Sequence, residues 1–182
     1  MNYKLQKWDE VATSYLQSFG QQVPVYSPSV FREYRGEIFT TFHSQKHPVL
    51  EYLTSNVNIH ARFSKSYKGV LRGLHYDNKT WKLVQAIVGD MYFVVLDVRP
   101  DSSTYGLWES YILSEHTRDQ VLVPPGFANG FFALTDCMFH YNLFYEGEYV
   151  DENAQGTVKW NDKNFNIKWP TNNPILQTRD ES

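Results

Sequence analysis

Short apolar runs separated by turn residues constrain the fold of this chain more than any other feature. From Val23 onward, segments rich in Val, Ile, Tyr and Phe alternate with Gly, Pro, Asn and Asp. Runs of this length between turn residues are typical of β-strands, and few segments show convincing helical spacing. The pattern therefore predicts an antiparallel sandwich or barrel rather than a fold built from βαβ units.

Several strands can be placed from this pattern. The predicted strands cover residues 108–113, 120–123, 130–134 and 138–144, with a turn at Thr135-Asp136 between the last two. The clearest pair, residues 82–88 and 91–98, flanks Gly89-Asp90, which suits a tight hairpin turn with Gly89 at positive φ. Residues 91–96 are apolar almost throughout, which predicts a strand covered on both faces, either inside a sheet or at a subunit interface.

The two ends of the chain look different from its middle. Leu5, Trp8, Ala12 and Tyr15 recur at roughly helical spacing, which predicts a short amphipathic helix. The tail after Trp160 is polar and contains two prolines, so we expect it to wrap over the surface. The 182 residues contain no linker or repeat, and they predict a single domain.

Charge and cysteine content exclude several classes of protein. Seventeen basic against 20 acidic residues give a net charge of −3, which disfavours sequence-independent nucleic-acid binding. Cys137 is the only cysteine, so neither an intrachain disulfide nor a Cys-rich zinc site is possible. No run approaches the roughly 18 apolar residues of a membrane span, and the N-terminus has no apolar signal core. We expect a cytoplasmic protein with no membrane partner.

Three segments contain residues that can do chemistry. In residues 69–85, His75 is either a buried structural histidine or a functional one, and no H-x-H or H-x-x-E spacing supports a metal site. In residues 122–134, consecutive prolines force a bend and Gly130 allows a close backbone approach. In residues 139–149, Tyr141, Tyr145 and Tyr149 are either core aromatics or, for one of them, a general acid.

The order of the motifs is more specific than any one of them. R-G-x-x-F lies at 35–39, GVLRGLHY at 69–76, KLVQ at 82–85 and G-x-x-x-x-V-V-x-D-V-R at 89–99; S-x-T-Y-G-x-W, PPGFANGF, W-N-D and PILQTRD follow. From about residue 30 to 180 the chain resembles the dTDP-4-dehydrorhamnose 3,5-epimerase family of small cupins. The resemblance implies an all-β cupin jelly roll (double-stranded β-helix) with short peripheral helices. It also implies an N-terminal extension over 1–24, a core over 25–160 and a C-terminal wrap over 161–182.

The resemblance also implies a reaction that needs no cofactor and no metal. Members of the family invert carbons beside the C4 ketone of a nucleotide-linked sugar, by removing a proton and returning one from the opposite face. By resemblance His75 is the base, Lys82 stabilises the enolate and Tyr141 is the acid. Asp180 is expected to orient His75, and Arg72 to bind the pyrophosphate. A homodimer is implied because the segment around Arg35–Thr40 is expected to contact the base of a substrate in the neighbouring subunit.

Other positions depart from the family pattern. The loop between His75 and Lys82 is shorter, a second histidine near the substrate is replaced by Asn129, and a Q-x-N pair is replaced by His60 and Arg62. We expect the substrate-binding residues to be Arg72, Arg35, Phe39, His60, Arg62 and Asn129.

These departures leave several functions open. The substrate is expected to be a dTDP- or GDP-linked 4-keto 6-deoxyhexose or heptose destined for a surface polysaccharide. The alternatives are an epimerase acting at C3 only, a sugar 3,4-ketoisomerase, and a cupin that binds sugar nucleotides without catalysis.

Overall fold

The computed structural model describes residues 10–151 and 153–181, and most of these residues belong to two antiparallel sheets that face one another. Within the described residues, the larger sheet consists, from edge to edge, of β1 (Val11–Tyr15), β2 (Pro24–Pro28), β10 (Gln120–Val123), β7 (Trp81–Val88), β12 (Cys137–Tyr145) and β5 (Asn58–Ser66). The smaller sheet consists of β13 (Gly156–Thr157), β6 (Leu71–Tyr76), β11 (Phe127–Ala133), β8 (Asp90–Asp97) and β9 (Trp108–Ser114).

The remaining elements are short. Strands β3 (Val30–Glu33) and β4 (Gly36–Phe39) form a separate hairpin. Two 3-10 helices span Gln17–Phe19 and Pro48–Tyr52, and the α-helix α1 spans Thr178–Glu181. The prediction of an all-β jelly roll with short peripheral helices is confirmed.

The main core fills the space between the two sheets. The ring of Phe139 on β12 lies 4.9 Å from that of Phe131 on β11 and 6.2 Å from that of Phe93 on β8, measured between ring centroids. Because alternate residues of a strand face the same side, Tyr141 points towards the interior two residues beyond Phe139. The apolar core thus continues directly into the more polar residues near one end of the sheets.

The strands around Gly89 were predicted correctly, but their pairing was not. Strand β7 lies between β10 and β12 in the larger sheet, whereas β8 lies between β11 and β9 in the smaller one. Gly89 has the expected positive φ of 73°, and a Cβ there would collide with the carbonyl oxygen of Asp136. The Gly-Asp turn therefore carries the chain from one sheet to the other, because the strand on each side pairs with partners distant in sequence.

The predicted N-terminal helix is wrong for the part that the structure describes. Val11–Tyr15 is a strand paired antiparallel with Pro24–Pro28, while Leu5 and Trp8 lie outside the described residues. Pairing along a sheet edge outweighs a weak helical spacing. Leu16 and Phe19, which fall within the predicted extension, are buried in the main core.

The tail packs over the outer face of the smaller sheet. Phe165, Ile167 and Trp169 pack against Val94 and Leu96 of β8, which are fully buried. Backbone hydrogen bonds join Ile175 to Gly69 and Leu71, which fastens the tail beside β6. The apolar character of residues 91–96 is thus explained by an interior strand covered by the chain's own tail, and a subunit interface is not needed to explain it.

Candidate active site

A cavity of about 250 Å³ opens between the two sheets, beyond the aromatic core. Six of the residues predicted from the sequence line it: His75, Lys82, Tyr141, Arg72, Arg62 and Asn129. They come from strands of both sheets, so groups on two opposite walls face the same space.

On the wall formed by the smaller sheet, His75 is paired with Asp180. His75 Nε2 lies 2.7 Å from Asp180 Oδ1, and the carboxylate is completely buried in α1. When Nε2 donates its proton to this carboxylate, Nδ1 keeps a lone pair that can accept a proton. The geometry therefore suits an oriented general base.

Two glycines allow the two strands of this wall to approach each other closely. A Cβ on Gly73 would lie 2.7 Å from the carbonyl oxygen of Asn129, and one on Gly130 would lie 2.7 Å from that of Arg72. Strands β6 and β11 therefore approach more closely than side chains would permit, with a register shift between Asn129 and Phe131. The close approach predicted at Gly130 is confirmed, and it is made to the strand that carries His75.

On the opposite wall, Lys82 extends from β7 and is largely buried. Its Nζ lies 3.4 Å from Asn129 Oδ1 and 3.7 Å from Asp77 Oδ2. Burial lowers the pKa of Lys82, the carboxylate of Asp77 raises it, and the guanidinium of Arg179 lowers it. This wall thus presents an amine in a poorly solvated position, with one carboxylate beside it.

Tyr141 and Tyr149 both reach the cavity, whereas Tyr145 does not line it. The ring of Tyr141 packs 5.2 Å from that of Phe139, measured between centroids. Burial raises the pKa of Tyr149, while the nearby Arg62 guanidinium lowers it. Two phenols are therefore available on this side.

Arg62 is held by two neighbouring rings. Its Nε donates to His60 Nε2 at 3.0 Å, and its guanidinium carbon lies 4.9 Å from the centroid of the Tyr149 ring. Arg72, on the other wall, donates from Nε to Ser66 Oγ at 2.9 Å. Both cations face the cavity, and His60 lies behind Arg62 without lining it.

Two of the predicted binding residues lie outside this cavity. Arg35 is an exposed residue of the β3–β4 hairpin and is paired with Glu33. Phe39 lies under the guanidinium of Arg118, at 4.7 Å from carbon to centroid. The structure does not bring either residue to the cavity of its own chain.

Sequence reasoning missed several residues that line the cavity, namely Ser64, Gln155, Gln177 and Arg179. Gln177 and Arg179 lie just before Asp180 in the final motif, in which only the carboxylate is predicted from the sequence to have a role. Gln155 follows β12 in an irregular segment, where no periodicity marks a residue as facing inward.

The described residues contain neither a metal-binding cluster nor a membrane-spanning helix. Between residues 10 and 181, Glu152 apart, no three His, Cys, Asp or Glu side chains are grouped so as to hold a metal ion. No helix in the same part of the chain is both long and apolar enough to cross a membrane.

The fold and the cavity are those of an isomerase of the cupin type, and comparison with known proteins agrees. The family model for dTDP-4-dehydrorhamnose 3,5-epimerase matches residues 21–182. The Shigella flexneri protein of that name is 35% identical over 169 residues, covering 87% of each chain. The Legionella pneumophila enzyme, solved with dTDP-4-keto-L-rhamnose, superposes with a TM-score of 0.82 at 27% identity and covers 94% of this chain and 90% of its own.

The chain therefore belongs to the dTDP-4-dehydrorhamnose 3,5-epimerase family, and it is a nucleotide-sugar epimerase. A Streptomyces niveus protein named dTDP-4-dehydrorhamnose 3-epimerase is also 35% identical, over 126 residues, with 66% of this chain and 59% of that protein covered. Enzymes that invert one centre thus share this scaffold.

Proposed function

We propose that this epimerase inverts both C3 and C5 of a dTDP-linked 4-keto-6-deoxyhexose. The observation that carries the proposal is the placement of His75 and Tyr141 on opposite walls of one cavity. A base and an acid on opposite faces of a ring are what inversion through an enolate requires. The dTDP carrier, in preference to GDP, is supported by the names of the matched relatives.

In the proposed reaction His75 removes the proton from a carbon next to the C4 ketone. The imidazole becomes an imidazolium, which the Asp180 carboxylate stabilises at 2.7 Å. The electron pair of the broken C–H bond moves to the C4 oxygen. The protonated amine of Lys82 then stabilises this oxyanion, and its effect is strong because the site is poorly solvated.

Tyr141 returns a proton to the same carbon from the other face. A phenol is protonated at neutral pH, and an enolate is basic enough to take its proton. The phenolate is then reprotonated from solvent, while the imidazolium of His75 releases its proton. Arg72 and Arg62 supply positive charge for the diphosphate.

The test follows deuterium in heavy water by NMR, with dTDP-, GDP-, CDP- and UDP-linked 4-keto sugars offered in parallel. We expect incorporation at C3 and C5 of the dTDP-linked sugar and product inverted at both centres. Incorporation at C3 alone would identify a 3-epimerase, and a carbonyl that moves from C4 to C3 a ketoisomerase. Binding without exchange would contradict the proposal altogether.

We also propose that the active form is a homodimer. Arg35 and Phe39 lie outside the cavity of their own chain, and the hairpin that bears them exposes Tyr34 and Ile38. Sedimentation velocity at assay concentration tests this proposal, and an active monomer would refute it. A cytoplasmic location remains a prediction, supported by the free, buried thiol of Cys137.

A further inference from the structure

Asp77 lies in the loop that joins the strands of His75 and Lys82, and its two carboxylate oxygens have different surroundings. The residue directly follows β6, in the short loop that leads to β7. Oδ1 accepts the backbone N–H groups of Lys79 at 2.9 Å and Thr80 at 2.6 Å. This arrangement is an Asx turn, and it fixes the path of the loop.

The second oxygen takes no part in the turn. Oδ2 is buried and makes no hydrogen bond within the part of the chain that the structure describes. Its nearest charged neighbour is Lys82 Nζ, at 3.7 Å. A buried anionic oxygen without a hydrogen bond is costly unless an opposite charge lies nearby, so the Lys82 ammonium compensates it.

Loop geometry alone does not explain an aspartate at this position. Asn or Ser also accepts backbone N–H groups in such a turn, and neither would bury a charge. What the carboxylate adds is its second oxygen, directed at Lys82.

Lys82 needs that negative charge. Asp77 from the loop, Asn129 from β11 and Arg179 from α1 act directly on it. It also shares the cavity with the charged and titratable side chains of Arg62, Arg72, His75, Tyr141 and Tyr149. Burial and Arg179 both lower the pKa of Lys82, the amide of Asn129 is neutral, and Asp77 raises the pKa. A lysine that lost its proton here would no longer stabilise an oxyanion.

We propose that Asp77 is a positioning residue that keeps the Lys82 side chain protonated and directed into the cavity. The same residue shapes the shortened loop, so the path of the loop and the charge of the lysine are coupled through one side chain. The inference rests on the proposed role of Lys82 in stabilising the enolate.

The test is Asp77→Asn, which keeps an acceptor for the turn and removes the charge. A carboxylate within about 4–6 Å of a cation shifts its pKa by about 1–3 units. Without it the Lys82 pKa falls further, so the alkaline limb of the kcat profile moves to lower pH by about one unit or more. At pH values above this limb, a shift of about one unit corresponds to a kcat about tenfold below wild type, with KM within about twofold because the charge acts on the transition state.

The matched control is Asp162→Asn, since Asp162 also accepts a backbone N–H, from Asn164 at 2.8 Å, and does not line the cavity. We expect its pH profile to be that of wild type. If the alkaline limb of the kcat profile is the same in Asp77→Asn as in wild type, the inference is overturned. Asp77 would then only stabilise the conformation of the loop. If Asp77→Asn does not fold, Asp77→Ser decides the question in the same way.

A readout without substrate separates this inference from the proposed function. The Lys82 side chain is titrated by NMR in wild type and in Asp77→Asn, with Lys82→Arg to assign its signal. We expect the lysine pKa to be lower in Asp77→Asn, and an unchanged pKa would overturn the inference even if the enzyme is active. A lowered lysine pKa in a protein whose wild type exchanges no substrate proton would instead contradict the proposed function alone.

Discussion

Asp97 and Asp180 are both completely buried, yet their carboxylates have very different surroundings. Both oxygens of Asp97 accept hydrogen bonds, from the Arg99 guanidinium and backbone and from the hydroxyls of Ser102 and Thr104. Asp180 Oδ1 accepts from His75, and its Oδ2 makes no hydrogen bond within the residues described. The Asp97 carboxylate is thus hydrogen-bonded by residues of its own loop, whereas the Asp180 carboxylate has a single side-chain partner, which faces the cavity.

The difference shows that motifs equally prominent in a sequence can have unrelated purposes. Burial alone would raise the pKa of Asp97, but the hydrogen bonds from Arg99, Ser102 and Thr104 hold it well below its usual value. The Arg99 guanidinium also lies 4.2 Å from the ring centroid of Phe127, which fixes the corner after β8. The D-V-R and S-x-T-Y-G-x-W motifs therefore form a structural corner, whereas the final R-D motif places the buried carboxylate that is hydrogen-bonded to His75.

The largest expected effect is on the reaction. His75→Asn should lower deuterium exchange at every carbon by about 10²–10⁴-fold, because a positioned base is lost. The melting temperature should also fall, because Asp180 stays buried after its partner is removed, so exchange is compared at a temperature where circular dichroism shows the variant to be folded. Exchange near the wild-type rate, measured by NMR in heavy water, would show that another group is the base.

Next in size is the effect of Tyr141→Phe, which removes only a hydroxyl. Exchange through His75 should persist, while product inverted at C5 should fall about 10²-fold or more because the far-face donor is missing. Both quantities are read from one NMR time course. Tyr145→Phe, outside the cavity, is the control, and Tyr149→Phe tests the second phenol. Normal amounts of doubly inverted product in Tyr141→Phe would rule out this donor.

For Asp97, in the corner after β8, the expected effect is on the stability of the fold and not on the reaction. Asp97→Asn should lower the free energy of unfolding by about 1.5–3 kcal/mol at pH 7, the range for hydrogen bonds to a charged group. Because the pKa of Asp97 is lower in the folded state, its contribution is present above about pH 4 and is lost as the pH falls through the folded value. Denaturant unfolding should therefore show the difference from wild type shrinking in acid.

The control for this comparison is Asp101→Asn, an exposed carboxylate in the same loop. It should leave the free energy of unfolding unchanged both at pH 7 and in acid. If Asp97→Asn instead abolished exchange in fully folded protein, the division between corner and site would be wrong.

A smaller effect on rate than that of losing the base is expected for Asp180→Asn. The amide keeps the shape and can still accept from His75 Nε2, but it lacks the charge that stabilises the imidazolium. The difference between a charged and a neutral partner is about 1.5–3 kcal/mol, which corresponds to about 10–100-fold in exchange rate. The loss should be smaller than for His75→Asn, since the base itself remains. Equal losses in the two variants would mean that Asp180 does more than orient the imidazole.

The sequence was most informative where a property is local. Strands β9 to β12 lie within a few residues of the predicted ranges, because alternating apolar residues and turn residues mark a strand without knowledge of its partner. Pairing is not local: the same turn at Gly89 fits a hairpin or a change of sheet, and only contacts with distant strands decide between them.

The candidate site likewise contains residues that could be predicted from local sequence motifs and residues that could not. The family resemblance, carried by the GVLRGLHY and KLVQ motifs, predicted that His75 and Lys82 belong to one site, and both line the cavity. Tyr149 and Gln177 reach the cavity from irregular segments. Their positions depend on how these segments pack against strands that are distant in the sequence. No pattern within a window of the sequence contains that information.

The tail described above covers one sheet and also carries Asp180 near its end. Phe165 and Trp169 hold it against the smaller sheet, and backbone bonds at Ile175 fasten it beside β6. Release of a surface segment costs less free energy than melting of a whole domain. We therefore expect heat to detach the tail, and with it the Asp180 carboxylate, before the two sheets separate, so that activity is lost at a lower temperature than that at which the sheets unfold.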